Sequence, residues 1–160
     1  MGNPIAYSQL TNYICVNDTK ANTVDGGTFT SGAWRTRVLN TEVSDVGNHA
    51  SLASNQITLE PGIYMARISA PAISVGKHQT RLRNITAGTT IASGTPEESN
   101  IVAYYAQTRS HIVTVFTITV SSALEVQHYC ANTIATFGFG RAASYGESEI
   151  YTIAEFWKMA

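Results

Sequence analysis

The chain has 160 residues, enough for one domain with a sizeable hydrophobic core. Charged residues make up only 13% of it, about half of the usual share of roughly 25%. Its 10 basic and 11 acidic residues give a net charge of −1, and Lys and Arg are nowhere concentrated enough to bind a phosphate backbone, so no nucleic-acid partner is expected. Either Thr-rich exposed strands or burial of surface in an oligomer would explain so few charges.

Most of the chain alternates between apolar and polar residues with a period of two, which predicts short β-strands separated by turns. Residues 1–10 are predicted to be an N-terminal arm, and residues 11–160 a single domain. Residues 101–107 fit either a strand or a partly helical cap, and residues 18–28, 40–54 and 94–100 are predicted to be connections. Strands are predicted, in chain order, at residues 12–17, 29–31, 34–39, 55–60, 63–70, 79–85, 89–93, 111–120, 123–130 and 149–158. About ten strands with no convincing amphipathic helix predict an all-β, antiparallel sandwich or barrel.

Two local signals set strand ends within this pattern. Pro71 is expected to stop the strand at residues 63–70, because proline has no N–H to donate to a β-ladder. Ser121 and Ser122 separate the β-forming runs at residues 111–120 and 123–130, which predicts a hairpin between those two runs.

Several strands are apolar on both faces. An antiparallel sheet with one face in water should alternate cleanly, so the second face must be covered by another layer of the chain or by another subunit. Because no helix is predicted that could supply the cover, a homo-oligomer is the simpler interpretation. In the last strand, one face carries Ile150, Ala154 and Phe156, and the other carries Tyr151, Ile153, Trp157 and Met159.

The cysteines and the N-terminal sequence indicate the cellular compartment in which the protein is made. Cys15 and Cys130 each lie in an apolar alternating run, which predicts buried free thiols, although a disulfide between an early and a late strand is possible. The N-terminal residues lack the basic region and apolar core of a signal peptide, and no run approaches the roughly 20 apolar residues of a membrane helix. The expectation is therefore a protein made in a cytoplasm, without membrane insertion.

No pattern in the sequence indicates catalysis, and no enzyme activity, metal or cofactor is expected. Glu97 and Glu98 are adjacent in a predicted loop, where both carboxylates would be solvated. The four histidines, at positions 49, 78, 111 and 128, lack metal-ligand spacing.

The candidate ligand contacts are aromatic side chains in or beside loops. Tyr104, Tyr105 and Tyr145 are the predicted ligand-binding residues, because tyrosine is well suited to contact surfaces. Trp34 has a similar setting, and packing is the competing interpretation for all four aromatics.

The order of several segments resembles the tumour necrosis factor/C1q-like jelly roll. Leu59-x-Pro61-Gly62-x-Tyr64 is similar to that superfamily's turn into a central strand, and the aromatics of residues 149–158 resemble its closing segment. The resemblance spans residues 12–159 and is nearest to small jelly-roll domains of bacteriophage fibres and capsid surfaces. The other segments that carry it are residues 81–88, 124–129 and 137–140.

The resemblance implies a jelly-roll sandwich that assembles as a homotrimer about a three-fold axis. Residues of the doubly apolar strands would form the trimer interface, namely Tyr64, Phe116, Tyr151, Ile153 and Trp157. The chain has neither the collagen repeat of C1q proteins nor the membrane anchor of the cytokines, so the eukaryotic signalling roles lose weight.

On this resemblance we expect a non-enzymatic structural protein of a bacteriophage virion surface, made in the host cytoplasm, whose trimer decorates or cements the capsid. Residues 1–10 are too short for a fibre shaft, so they would dock on another virion protein, either the major capsid protein or a fibre protein. The alternative is a receptor- or glycan-binding tip of a tail or head fibre, with a host surface glycan as its ligand. A cellular C1q-like binding protein is the third possibility.

Overall fold

The computed structural model describes residues 12–100 and 106–160, which form twelve β-strands and no helix. The prediction of an all-β antiparallel sandwich is therefore confirmed. The predicted arm at residues 1–10 lies outside the described residues, and within those residues no helix has the length and apolar character needed to span a bilayer. The strands are β1 (Tyr13–Lys20), β2 (Arg35–Thr36), β3 (Thr41–Asp45), β4 (Ala50–Ala53), β5 (Gln56–Leu59), β6 (Gly62–Ile73), β7 (Gly76–Asn84), β8 (Thr89–Ser93), β9 (Glu97–Ser99), β10 (Gln107–Ile118), β11 (Ser122–Cys130) and β12 (Glu149–Lys158).

The strands form two sheets that enclose the hydrophobic core. The first sheet has the order β10-β6-β12-β1-β3, so β10 and β3 are its edges. The second sheet has the order β4-β5-β11-β7-β8, with β2 paired to β11 and β9 paired to β7. Alternate residues of the long strands point inward, as the two-residue period predicts. In the main core cluster, the largest fully buried side chains are Tyr64, Phe156, Ile14, Leu39, Ile57, Leu59, Ile68, Leu82, Ile112 and Leu124.

The predicted hairpin at residues 111–130 is wrong. Strand β10 pairs with β6 along its whole length, while β11 pairs with β5 and β7 in the opposite sheet. The chain therefore crosses between sheets after Ile118 instead of turning back beside itself. Ser121 and Ser122 lack the glycine or asparagine that a two-residue hairpin needs for its positive φ angles, which explains why the two runs do not pair.

Three short strands were not predicted, and Pro71 does not end its strand. The predicted connection at residues 40–54 contains β3 and β4, and the predicted loop at residues 94–100 contains β9. All three lie at the ends or off the main path of a sheet, where no apolar face is required. Strand β6 continues through Pro71 to Ile73, because its pairing with β12 ends at Ser69 and only β10 pairs with it beyond that point.

A bulge changes the predicted faces of β12. Asn17 lies opposite Ile153 and Thr19 opposite Ile150, so two residues of β12 oppose the single residue Asp18. The bulge turns Ile150 outward, with 49% of its surface exposed, and turns Tyr151 inward.

Both cysteines are buried free thiols, as predicted. Burial raises the pKa of Cys15, and it raises the pKa of Cys130 to about 11. Both thiols therefore stay protonated at neutral pH and act as small apolar side chains.

Arg37, whose guanidinium is fully buried, links the two sheets: its backbone N–H donates to Val126 O of the second sheet, and its side chain bonds to the first. Its Nε donates to Thr152 Oγ1 at 2.8 Å, its Nη1 to Pro71 O at 3.1 Å and its Nη2 to Phe139 O at 2.9 Å. Burial lowers its pKa to about 9, partly offset by Asp18, so the group remains charged at neutral pH.

We expect Arg37→Lys to lower the free energy of unfolding by about 3 kcal/mol, because an ammonium cannot reach three acceptors and leaves buried oxygens without donors. Urea denaturation at pH 7 measures the change. The matched control is Arg83→Lys, at a partly exposed position, which should stay within about 0.5 kcal/mol of the native chain. Equal loss in both variants would contradict the role assigned to Arg37.

Candidate functional site

The outer face of the first sheet carries a continuous row of apolar side chains, here called the apolar row. Val115, Met65, Trp157 and Tyr13 lie opposite one another across β10, β6, β12 and β1. The Tyr13 and Trp157 rings are 5.2 Å apart. Val115 is 67% exposed, and Val113 two residues earlier is 70% exposed. This face therefore presents apolar surface that nothing in the described protomer covers.

Beside the apolar row, the charged groups pair with each other. Arg67 Nε donates to Glu155 Oε2 at 2.7 Å, and Tyr13 Oη donates to Glu155 Oε1 at 2.8 Å. Burial, together with the hydrogen bond to Glu155, raises the pKa of Tyr13, so its hydroxyl remains a donor. These charges are paired within one protomer, so they need no complementary charge from another chain.

The five predicted interface residues fall into two groups. Tyr64 and Tyr151 are 0% and 2% exposed, and Phe116 packs against the same core, 5.7 Å from the Tyr64 ring. These three have little surface to offer another protomer. Ile153 and Trp157 lie on the outer face of the first sheet, Ile153 opposite Ser69 and Trp157 in the apolar row. The assignment of these residues to a trimer interface stays a prediction.

The second sheet carries a groove of about 620 Å³, here called the aromatic groove. Four separate segments contribute to it, which is why the sequence alone did not reveal it. Strand pairing brings the lining residues together. Tyr129 of β11 lies opposite Gln79 of β7, and the pairing of β2 with β11 places Trp34, just before β2, next to Tyr129. The lining residues are Trp34, Lys77, His78, Gln79, Pro96, Glu97, Glu98 and Tyr129.

The two rings of the aromatic groove meet nearly at a right angle. Trp34 and Tyr129 have ring centroids 5.6 Å apart and planes inclined by 68°. The Arg81 guanidinium lies over the Trp34 ring at 4.2 Å, and Arg81 Nε donates to Gln127 Oε1 at 2.9 Å. The tryptophan is thus held from one side by a fixed cation.

Polar groups surround these rings. Gln79 Nε2 donates to Gly94 O at 2.8 Å, and Glu97 Oε1 accepts a hydrogen bond from Thr95 Oγ1 at 2.9 Å. Lys77 lies opposite Glu98 in the pairing of β7 with β9, and both side chains are exposed. The expectation that Glu97 and Glu98 lie in a loop is therefore wrong, because both belong to β9.

The predicted ligand contacts are elsewhere. Tyr145 is 91% exposed and stands apart from the aromatic groove, and Tyr104 and Tyr105 lie outside the described residues. Within residues 12–100 and 106–160, no three His, Cys, Asp or Glu side chains are placed to hold a metal ion.

Below the groove, two buried histidines contact each other. His78 Nδ1 is 2.9 Å from His128 Nε2, and His78 Nε2 is 2.8 Å from Thr108 Oγ1. His128 Nδ1 is buried and has no hydrogen-bond partner among the described residues. Burial lowers the pKa of His78 to about 4 and lowers that of His128 as well, so both rings are neutral at neutral pH.

Comparison with protein-family models gives no match, and comparison with curated proteins gives none either. Solved structures do match. The globular domain of zebrafish complement 1qA protein has a TM-score of 0.59 at 12% identity, covering 94% of this chain and 98% of that one. Murine APRIL has a TM-score of 0.58 at 11% identity (92% and 98%), and Eiger TNF from S. frugiperda has 0.61 at 11% identity (93% and 94%). At these identities the likeness shows the fold alone, and it confirms the C1q/TNF-like jelly roll.

We expect the melting temperature to fall as the pH is lowered from 6.5 to about 4.5. Burial lowers the pKa of His78 and His128 in the folded chain, so in this range the unfolded chain binds more protons than the folded chain does. The histidine contribution is complete above pH 6.5 and is lost towards pH 4. Scanning calorimetry across this range measures the slope. The double variant His78→Gln/His128→Gln should flatten it, whereas His111→Gln, at an exposed position, should keep it. An unchanged slope in the double variant would refute this account.

Proposed function

We propose that this chain is a non-enzymatic structural domain that self-associates as a homotrimer and serves on a virion surface as a decoration or cement protein. The observation that carries the proposal is the apolar row. Burying a Val side chain is worth about 1.5–3 kcal/mol, and Val113 and Val115 are both more than half exposed in the protomer.

A second copy of the chain is the partner that best fits this face. Arg67 and Glu155 already pair within one protomer, so a partner needs no complementary charge and can present the same apolar surface. Charge depletion is typical of the buried centre of such interfaces. The three-fold arrangement rests on the jelly-roll resemblance, and Ile153 and Trp157 are the predicted interface residues best placed to contribute.

The virion location rests on the resemblance to phage surface domains, and residues 1–10 are the proposed anchor to a capsid or fibre protein. A receptor- or glycan-binding fibre tip is the second candidate function. It is favoured by the aromatic groove, which lies on the second sheet and stays open when the first sheet is covered.

Light scattering should give a mass of about 52 kDa, three times the 17.2 kDa of one chain. Val113→Asp/Val115→Asp should give monomers, because six carboxylates in the trimer would lose their water in an apolar contact. Val120→Asp is the matched control, since Val120 is 59% exposed and lies outside β10. A monomeric native chain, or a double variant that stays trimeric, would overturn the proposed interface.

As a cement protein, the purified trimer should bind isolated capsids and raise the temperature at which they rupture, measured by DNA release on heating. Deletion of residues 1–10 should abolish binding if the arm is the anchor. As a fibre tip, the trimer should instead label host cells and block phage adsorption. A trimer that does neither would exclude both virion roles.

A further inference from the structure

The aromatic groove has an apolar corner beside polar side chains that make no hydrogen bond or ion pair within the described part of the chain. Trp34 and Tyr129 form the corner. Within the described part of the chain, the Lys77 and Glu98 side chains make no hydrogen bond or ion pair with protein groups. Lys77 supplies donors and Glu98 supplies acceptors. Both could hydrogen-bond a ligand without breaking an existing contact.

The charges around the groove balance. Lys77 and Arg81 carry two positive charges, Glu97 and Glu98 carry two negative ones, and His78 is neutral. An anion or a cation would meet attraction from one pair of groups and repulsion from the other, so the site has no net charge that selects either. Its donors and acceptors instead match a neutral, hydroxyl-rich ligand.

We propose that the aromatic groove binds an uncharged saccharide, with the C–H face of a sugar ring packed against Trp34 and Tyr129 and its hydroxyl groups bonded to Lys77, Gln79 and Glu98. This deepens the second candidate function and rests on it, but it does not depend on trimer formation. A volume of about 620 Å³ lies within the range typical of small-molecule sites.

The same observations argue against a proline-rich peptide, which also packs on aromatic rings. Such a peptide offers few donors, so Glu98 would lose water without gaining a partner. A sugar ring instead has hydroxyl groups along its edge and an apolar face, and this division matches that between the polar and aromatic walls of the groove.

Gln79 is the residue that sets the position of the ligand. Its amide nitrogen is bound to Gly94 O, which fixes the carboxamide plane and leaves its oxygen as an acceptor in a defined direction. Arg81 holds the Trp34 ring in the same way. The groove is thus organised before a ligand enters, which lowers the entropy cost of binding.

The test uses the full chain and a panel of uncharged hexose and N-acetylhexosamine oligosaccharides. Saturation-transfer NMR detects binding, and titration of backbone amide shifts gives Kd. Trp34→Ala should weaken binding about tenfold, and Glu98→Ala about fivefold. Glu42→Ala removes an exposed carboxylate on β3, at the edge of the other sheet, and should leave Kd unchanged. Because Glu98 is exposed on β9, its variant should fold even if the Trp34 variant does not.

Several results would overturn the inference: no saccharide binding at millimolar concentration, a Kd unaffected by Glu98→Ala, or binding of a proline-rich peptide in place of sugars. Light scattering on the same samples tests the trimer separately. Saccharide binding without inhibition of phage adsorption would leave the groove assignment standing and remove the fibre-tip function.

Discussion

Much of this sandwich depends on the burial of one guanidinium, that of Arg37. A charge without water is costly unless its donors are satisfied, and the acceptors come from three separate places: β12, β6 and the turn that contains Phe139. Each of these acceptors stands beside a departure from regular structure. Thr152 follows Tyr151 in the β12 bulge, Pro71 lies in the singly paired end of β6, and Gly140 ends the turn at φ +139° with the Tyr151 ring against it.

The outer faces of the two sheets have different chemistry. On the second sheet, Glu125 accepts hydrogen bonds from Thr36, Gln56 and Gln127, and although burial opposes it, these bonds lower the Glu125 pKa. That network is complete within one protomer and has no use for a partner. The apolar row on the first sheet differs, because its side chains stay exposed to solvent in a single protomer. This difference between the faces supports the proposed division, in which the chain assembles through the first sheet and keeps the second for a ligand.

The sequence predicts the strands that bury a face and fails for those that do not. Strand β12 has the predicted bounds, and β5, β6, β7 and β11 lie close to theirs, because their alternation reflects burial. Strand β8 is the exception: it has the predicted bounds although none of its residues is fully buried, because the Gly88 turn signal marks where it begins. Strands β3, β4 and β9 were missed because few of their side chains are buried. The predicted face of Ile150 was wrong, because the bulge in β12, where it pairs with β1, has no signature in a single sequence. The aromatic groove depends on the register between β11 and β7, so neither Trp34 nor Glu98 could be linked to it beforehand.

The position of β10 at the edge of the first sheet bears on how the protein must be made. Strand β10 is twelve residues long, pairs only with β6, and presents Val113 and Val115 on its outer face. The backbone N–H and C=O of His111 bond to Thr95, but a β-branched edge strand beyond that point is a template for strand addition from other chains. A net charge of −1 provides almost no repulsion between molecules. On the proposed assembly, a protomer separated from its partners is prone to aggregation, so its solubility in the producing cell is governed by how fast assembly follows folding.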